Sequence, residues 1–287
     1  MCDDDIHPGL VHDPRLSRRA FGLLTVAATG AATVARADDT VEEKDVEVKT
    51  PDGVADAALF YPKAKGKYPA VLLWPDVMSL RPVFRDMGRR LAAAGYVVLV
   101  PNLYYRVKKA PVVEGTFNFA NPDDRAKLTP LRASVTTEGT FKDAAAYIAF
   151  LDAQAKTDKA KKAGVQGYCM GGPLSFRTAA AVPARIGAVA SFHGGGLVTD
   201  KEDSPHLLIP KTQAAYLIEI ADNDDKQDPT AKDKLKAAFE AAKRPAQVEV
   251  FAGAAHGWTV KGSQVYSEAA AETAWSNLLA LYKKALA

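Results

Sequence analysis

The 287-residue chain has only two cysteines, Cys2 and Cys169, so it is not a domain held together by disulfides. Histidine is scarce too. His7, His12, His193, His206 and His256 show no metal-ligand spacing, and neither a metal site nor a cofactor is expected. Neither sign of charge dominates: 37 Lys and Arg against 34 Asp and Glu leave a net charge of +3. That balance is too mild to point to nucleic acid or a membrane surface as a partner. There is no internal repeat and no low-complexity tract beyond alanine-rich helix.

A long hydrophobic span is missing as well. The N-terminal apolar run is interrupted by Gly30, Thr33 and Arg36 and falls short of the roughly 20 residues a membrane-crossing helix needs. Its flanks read instead as an export leader. "SRRAFGLL" (Ser17 to Leu24) sets a twin arginine before the apolar stretch, and "ARA" (Ala35 to Ala37) closes it with a small-x-small cleavage pattern. Residues 1–37 are therefore expected to be a cleaved twin-arginine signal, with the mature protein periplasmic and not inserted in the membrane. Residues 38–287 would form one catalytic domain. The four basic and four acidic residues of the leader cancel, so cleavage leaves the net charge unchanged. Cys2 departs with the leader, and Cys169 remains as a lone thiol.

The rest alternates between two periods. "VEEKDVEVKT" (Val41 to Thr50), "ADAALFYP" (Ala55 to Pro62) and "YPAVLLWP" (Tyr68 to Pro75) read as strands, the third almost wholly apolar, as a strand covered on both faces would be. A helical pattern (Pro82 to Gly95) and the strand "YVVLVPNL" (Tyr96 to Leu103) make a parallel crossover. Tyr104 to Gly139, with three prolines, reads as a long connection that roofs a pocket, with Phe117 and Phe119 as candidate lining. Further helices are expected over 140–155, 171–181, 229–243 and 267–285. Further strands are expected at "GVQGY" (Gly164 to Tyr168), 185–194, 214–221 and 246–253. The predicted fold is an open, mostly parallel sheet with helices on both faces.

At the end of one of these strands stands "GYCMGG" (Gly167 to Gly172). Glycines two residues before and after Cys169 suit a sharp strand-to-helix turn that exposes a nucleophile. The amides at the helix start, Met170 among them, would face a developing oxyanion and favour thiolate at Cys169. "IADNDD" (Ile220 to Asp225) follows a later strand and "GAAHGW" (Gly253 to Trp258) the next, which gives the chain order nucleophile, acid, histidine. His256 would take the proton from Cys169, and an acid would fix the imidazole tautomer. Asp222, Asp224, Asp225 and Asp228 compete for that role, although Asp228 before Pro229 suits a helix start.

With "GYCMGG", "NDD" (Asn223 to Asp225), "AHGW" (Ala255 to Trp258) and "PNLYYR" (Pro101 to Arg106), the chain resembles the dienelactone hydrolases, members of the α/β-hydrolase superfamily, over nearly all of its mature length. The resemblance implies the α/β-hydrolase fold and a triad of Cys169, Asp224 and His256. It also implies an acidic residue at Asp76 in "WPDVMSL" that engages the nucleophile, and an oxyanion hole formed by Val77 and Met170. Arg106 and Trp258 would bind substrate, the former by a planar match to a carboxylate. The family's second carboxylate-binding arginine is absent, Val260 standing in its place, and Asp76 is one methylene shorter than the glutamate usual in the family. The implied function is hydrolysis of small esters or lactones through a thioester. The alternative is a binding or redox-sensing module that uses the lone thiol without hydrolysis.

Overall fold

The structure, a computed structural model, describes residues 11–12 and 40–287. Of the expected leader it includes only Val11–His12, which pair antiparallel with Phe117–Asn118. The other leader residues, with the twin arginine and the cleavage pattern, lie outside the described residues.

Eight strands form one sheet: β1 (Val41–Thr50), β2 (Gly53–Pro62), β3 (Ala70–Trp74), β4 (Val97–Pro101), β5 (Ala163–Tyr168), β6 (Ile186–Phe192), β7 (Ala215–Ala221) and β8 (Ala246–Phe251). The spatial order is β1-β2-β4-β3-β5-β6-β7-β8. β2 pairs antiparallel with both β1 and β4, and from β4 to β8 every pairing is parallel. The order reverses direction around β3, so the loops after β3, β5, β7 and β8 gather at one carboxyl edge, where ligand sites form in such sheets.

Alternation along the central strands builds a core on each face. Ala70, Leu72 and Trp74 of β3 join one cluster, while Val71 and Leu73 join the other. The first cluster is covered by α3 (Thr137–Asp152), α4 (Gly171–Ala181) and α6 (Ala231–Ala241), the second by α1 (Pro82–Ala93) and α7 (Glu268–Ala285). In α1, proline stands at the first helical position, and the buried residues Phe84, Gly88, Leu91 and Ala92 recur at helical spacing. This is the α/β-hydrolase fold, as expected from the sequence.

The expected long connection differs in one respect. Pro122–Ala133 form a helix, α2, whose Asn121 side chain accepts a hydrogen bond from the Asp123 amide, with Pro122 in the first turn. Asn-Pro-Asp-Asp is a helix-start signal. Pro130 inside the segment masks it. The short α5 (Asp222–Gln227) occupies what the sequence reads as loop.

Candidate active site

The strand β5 delivers Cys169 to its turn with φ of 51°. A non-glycine residue in this left-handed region costs on the order of 1 kcal/mol or more and persists only where the surroundings impose it. Here the glycines allow the surroundings to close in. A Cβ on Gly167 would lie 1.9 Å from the Gly171 carbonyl oxygen, and one on Gly171 would lie 2.5 Å from the carbonyl oxygen of Trp74. The start of α4 therefore packs backbone to backbone against the loop after β3. Cys169 itself donates its amide to the Phe192 carbonyl at 3.0 Å, and the residue is partly exposed.

That neighbouring loop holds Asp76 and Val77. Both line a cleft with Cys169, His256, His193, Met78, Phe119 and Val260, and Lys261 stands at the same wall. The cleft is small, leaving about 40 Å³ for the centres of water-sized molecules. Met170 occupies the N-cap of α4 directly after the thiol, so the amides of Met170 and Val77 belong to two backbones that touch.

Three further residues brace the Val77 loop. The Tyr104 hydroxyl donates to the Val77 carbonyl at 2.8 Å and lies 3.7 Å from the Met170 sulfur. Ser79, itself left-handed at φ of 59°, donates to Asn102 Oδ1 and accepts from the Leu103 amide. The "PNLYYR" segment thus acts on the site through Asn102 and Tyr104.

His256 is buried, and its Nδ1 meets Asp224 Oδ2 at 2.7 Å. Its own amide donates to Asn223 Oδ1 at 2.8 Å, and the Asp222 amide donates to the Ala254 carbonyl, which locks the acid and histidine segments together. Burial opposes a charged imidazole, but the interaction with Cys169, the hydrogen bonds to Asp224 and Cys169 and the Asp224 charge outweigh it. The His256 pKa is held well above its ordinary value. The competing aspartates are engaged elsewhere: Asp222 with Lys226, Asp225 with Lys232, and Asp228 with the Thr230 hydroxyl.

Three expected site residues take other places. Asp76 lines the cleft, yet its two oxygens accept from Arg81 at 2.5 and 2.7 Å, and Oδ1 also accepts from the Met78 amide; the carboxylate is turned to its own loop, not to Cys169. Arg106 is outside the cleft. Its guanidinium is filled by Asp143 (2.8 Å to each oxygen) and Asp52 (2.7 Å), leaving no free fork for a substrate. Trp258 is fully buried, stacked on Phe251 at 5.2 Å behind the wall rather than facing into it. Of the two phenylalanines, Phe119 lines the cleft and Phe117 packs edge-on behind it at 4.7 Å.

Two residues at the site had no site role in the sequence reading. Arg81 is buried against Asp76, and nothing in "SLRP" marks it beyond its place before a helix. His193 had a weak signal, a histidine near the end of a predicted strand. Among the described residues no cluster of three or more His, Cys, Asp or Glu could hold a metal ion.

An eight-stranded sheet of this order, with a thiol on a strained strand-to-helix turn and an Asp-His pair on the later loops, defines an α/β-hydrolase. The sequence profile of the dienelactone hydrolase family matches residues 55–286, and the chain belongs to that family. It is by that membership an ester or lactone hydrolase. A Methylorubrum extorquens protein named as a candidate carboxymethylenebutenolidase is 25% identical over 266 residues, 90% of this chain and 86% of its own. A Bradyrhizobium protein named as a candidate 2-oxo-3-(5-oxofuran-2-ylidene)propanoate lactonase is 22% identical, over 85% of this chain and 94% of its own. A candidate dienelactone hydrolase from Klebsiella pneumoniae shares the fold at a TM-score of 0.73 and 22% identity, covering 85% of this chain and 99% of that one.

Proposed function

We propose that the protein hydrolyses small esters or lactones through a Cys169-His256-Asp224 triad and a thioester acyl-enzyme. The observation that carries this reading is the 2.7 Å contact of Asp224 with the buried His256 imidazole, which lines the same cleft as Cys169. His256 takes the thiol proton, and Cys169 Sγ attacks the acyl carbon. The new oxyanion accepts from the Met170 and Val77 amides, and collapse expels the alkoxide, which takes its proton from His256. Water then gives a proton to His256 and attacks the thioester. The acid leaves, and Cys169 is restored as thiolate.

In this reading Asp76 contributes by holding the Val77 loop with Arg81 and the Met78 amide, not by touching the thiol. The largely apolar walls, Val77, Met78, Phe119 and Val260, suit a small acyl group or lactone ring, which fits the activities named for the relatives. Cys169→Ala is expected to abolish turnover of p-nitrophenyl acetate, and unchanged turnover overturns the proposal. An acyl adduct on Cys169 detected by mass supports it. A stable sulfenic acid there, with no esterase activity, favours the redox-sensing alternative.

We also propose that residues 1–37 direct export to the periplasm by the twin-arginine route and are removed. Changing Arg18 and Arg19 together to lysine should leave the uncleaved precursor in the cytoplasm. Continued export and cleavage of that variant counts against the leader.

A further inference from the structure

Phe192 and His193, at the end of β6, contact each of the three segments that carry the proposed triad. The Phe192 carbonyl accepts the Cys169 amide at 3.0 Å, and the His193 amide donates to the Glu219 carbonyl at 2.8 Å, on the strand that leads to Asp224. The His193 side chain reaches the third segment: Nε2 lies 2.8 Å from the Thr259 hydroxyl, three residues beyond His256. The imidazole is buried and lines the cleft, with its ring centroid 4.9 Å from that of His256 and 5.1 Å from that of Trp258, edge-on to both.

Filling space does not account for this residue. A phenyl ring would pack the same hollow, whereas the imidazole leaves Nδ1 with no hydrogen-bond partner among the described residues, an unfavourable state for a buried polar atom. His193 also sits in the left-handed region at φ of 41°. The backbone bends there to bring the ring over the His256 loop. We propose that His193 is a positioning residue which, through Thr259, pins the segment carrying His256 so that its imidazole stays aligned between Cys169 and Asp224. This rests on the triad reading given above.

The charged and titratable groups facing the pair of imidazoles are Cys169, Asp224, Asp76, Arg81 and Lys261, with the Tyr168 ring 6.1 Å from His193. Burial and the charge of His256 hold the His193 pKa well below its ordinary value, so His193 stays neutral. It therefore does not repel the proton that His256 must hold. Its tie to Thr259 and its lack of charge act in the same direction.

The test uses Thr259→Val, which removes the hydroxyl while keeping the shape, Thr259→Ser, which keeps the hydroxyl, and His193→Phe, alone and combined with Thr259→Val. Two rates are read across pH: kcat/KM for p-nitrophenyl acetate and alkylation of Cys169 by iodoacetamide. Thr259→Val and His193→Phe should each lower kcat/KM roughly 10- to 100-fold, as misplacement of a reacting group does. Each should also move the alkylation midpoint to higher pH by about one unit, because a misaligned imidazolium supports the thiolate less.

The double variant should be no worse than the poorer single one, and Thr259→Ser should recover most of the loss. If Thr259→Val leaves both the midpoint and kcat/KM at wild-type values, or if the two losses multiply, the proposal fails. Should His193→Phe not fold, the valine and serine variants at Thr259 decide alone. Alkylation does not depend on ester turnover. A shifted midpoint in a protein without esterase activity would support the positioning role and overturn only the hydrolytic reading.

Discussion

Arg106 forms two ion pairs, one with Asp143 and one with Asp52. Its place in "PNLYYR" suggests a carboxylate-binding arginine, but Asp143 and Asp52 take up its guanidinium, and Asp143 is itself buried. Arg106→Ala is therefore expected to leave the KM for carboxylate-bearing lactones unchanged and to lower stability by about 3 kcal/mol, the scale for breaking a largely buried pair. Urea unfolding beside a KM measurement checks both halves; a raised KM at unchanged stability would return Arg106 to the site. The choice among the four aspartates was not legible from charge. Each is acidic and each stands near the end of β7, and only the turn of α5 decides that Asp224 points to His256. Cys169 was legible, because glycines at both flanks are a local requirement written in adjacent letters.

At the scale of elements, the elbow works because α4 starts in backbone contact with the loop after β3. Gly171→Ala would drive a Cβ against the Trp74 and Pro75 carbonyl oxygens at 2.5 and 2.6 Å, where no flexible side chain can give way. It is expected to cost about 3 kcal/mol or more, at the upper end for overpacking, and to part the Met170 and Val77 amides. The variant should lose stability in urea and esterase activity together. Loss of neither would mean that the two backbones do not need this approach. Most strands and helices were legible because each central strand carries apolar residues for two cores and each covering helix repeats its buried residues every three or four positions. The helix α2 was not, since Pro130 inside the segment reads as a break and masks the start signal at Asn121-Pro122.

Across the whole molecule, the sheet face under α7 buries a carboxyl. Glu219 is fully buried, its Oε1 accepts from Asn277 Nδ2 at 2.9 Å, and Glu249 lies beside it on β8. Burial, and secondarily the Glu249 charge, raise its pKa from 4.5 to about 7 despite the Asn277 bond. The native state then holds a proton that the unfolded chain has released between about pH 4.5 and 7, so the stability this group contributes is full below that window and falls as pH rises through it. The full difference is on the order of 3 kcal/mol. Glu219→Gln, which keeps the acceptor for Asn277, should flatten the slope of unfolding free energy against pH over that range and stabilise the protein above pH 7. A slope equal to that of wild type would show that Glu219 does not titrate there.

By itself the sequence determined the alternation of strands and helices, the glycine-bracketed thiol and the chain order cysteine, aspartates, histidine, because each is a matter of local spacing and chemical type. Which aspartate meets His256, that Asp76 turns to Arg81, that Arg106 is spent on Asp143, and that His193 stands beside His256 were decided only by the tertiary structure. These depend on distances between segments 32 to 66 residues apart or on the bend of a single loop, and periodicity carries no information about either. The physical reason is that a side chain's charge is fixed by its type, while its partner is fixed by which backbones the sheet brings to the same edge.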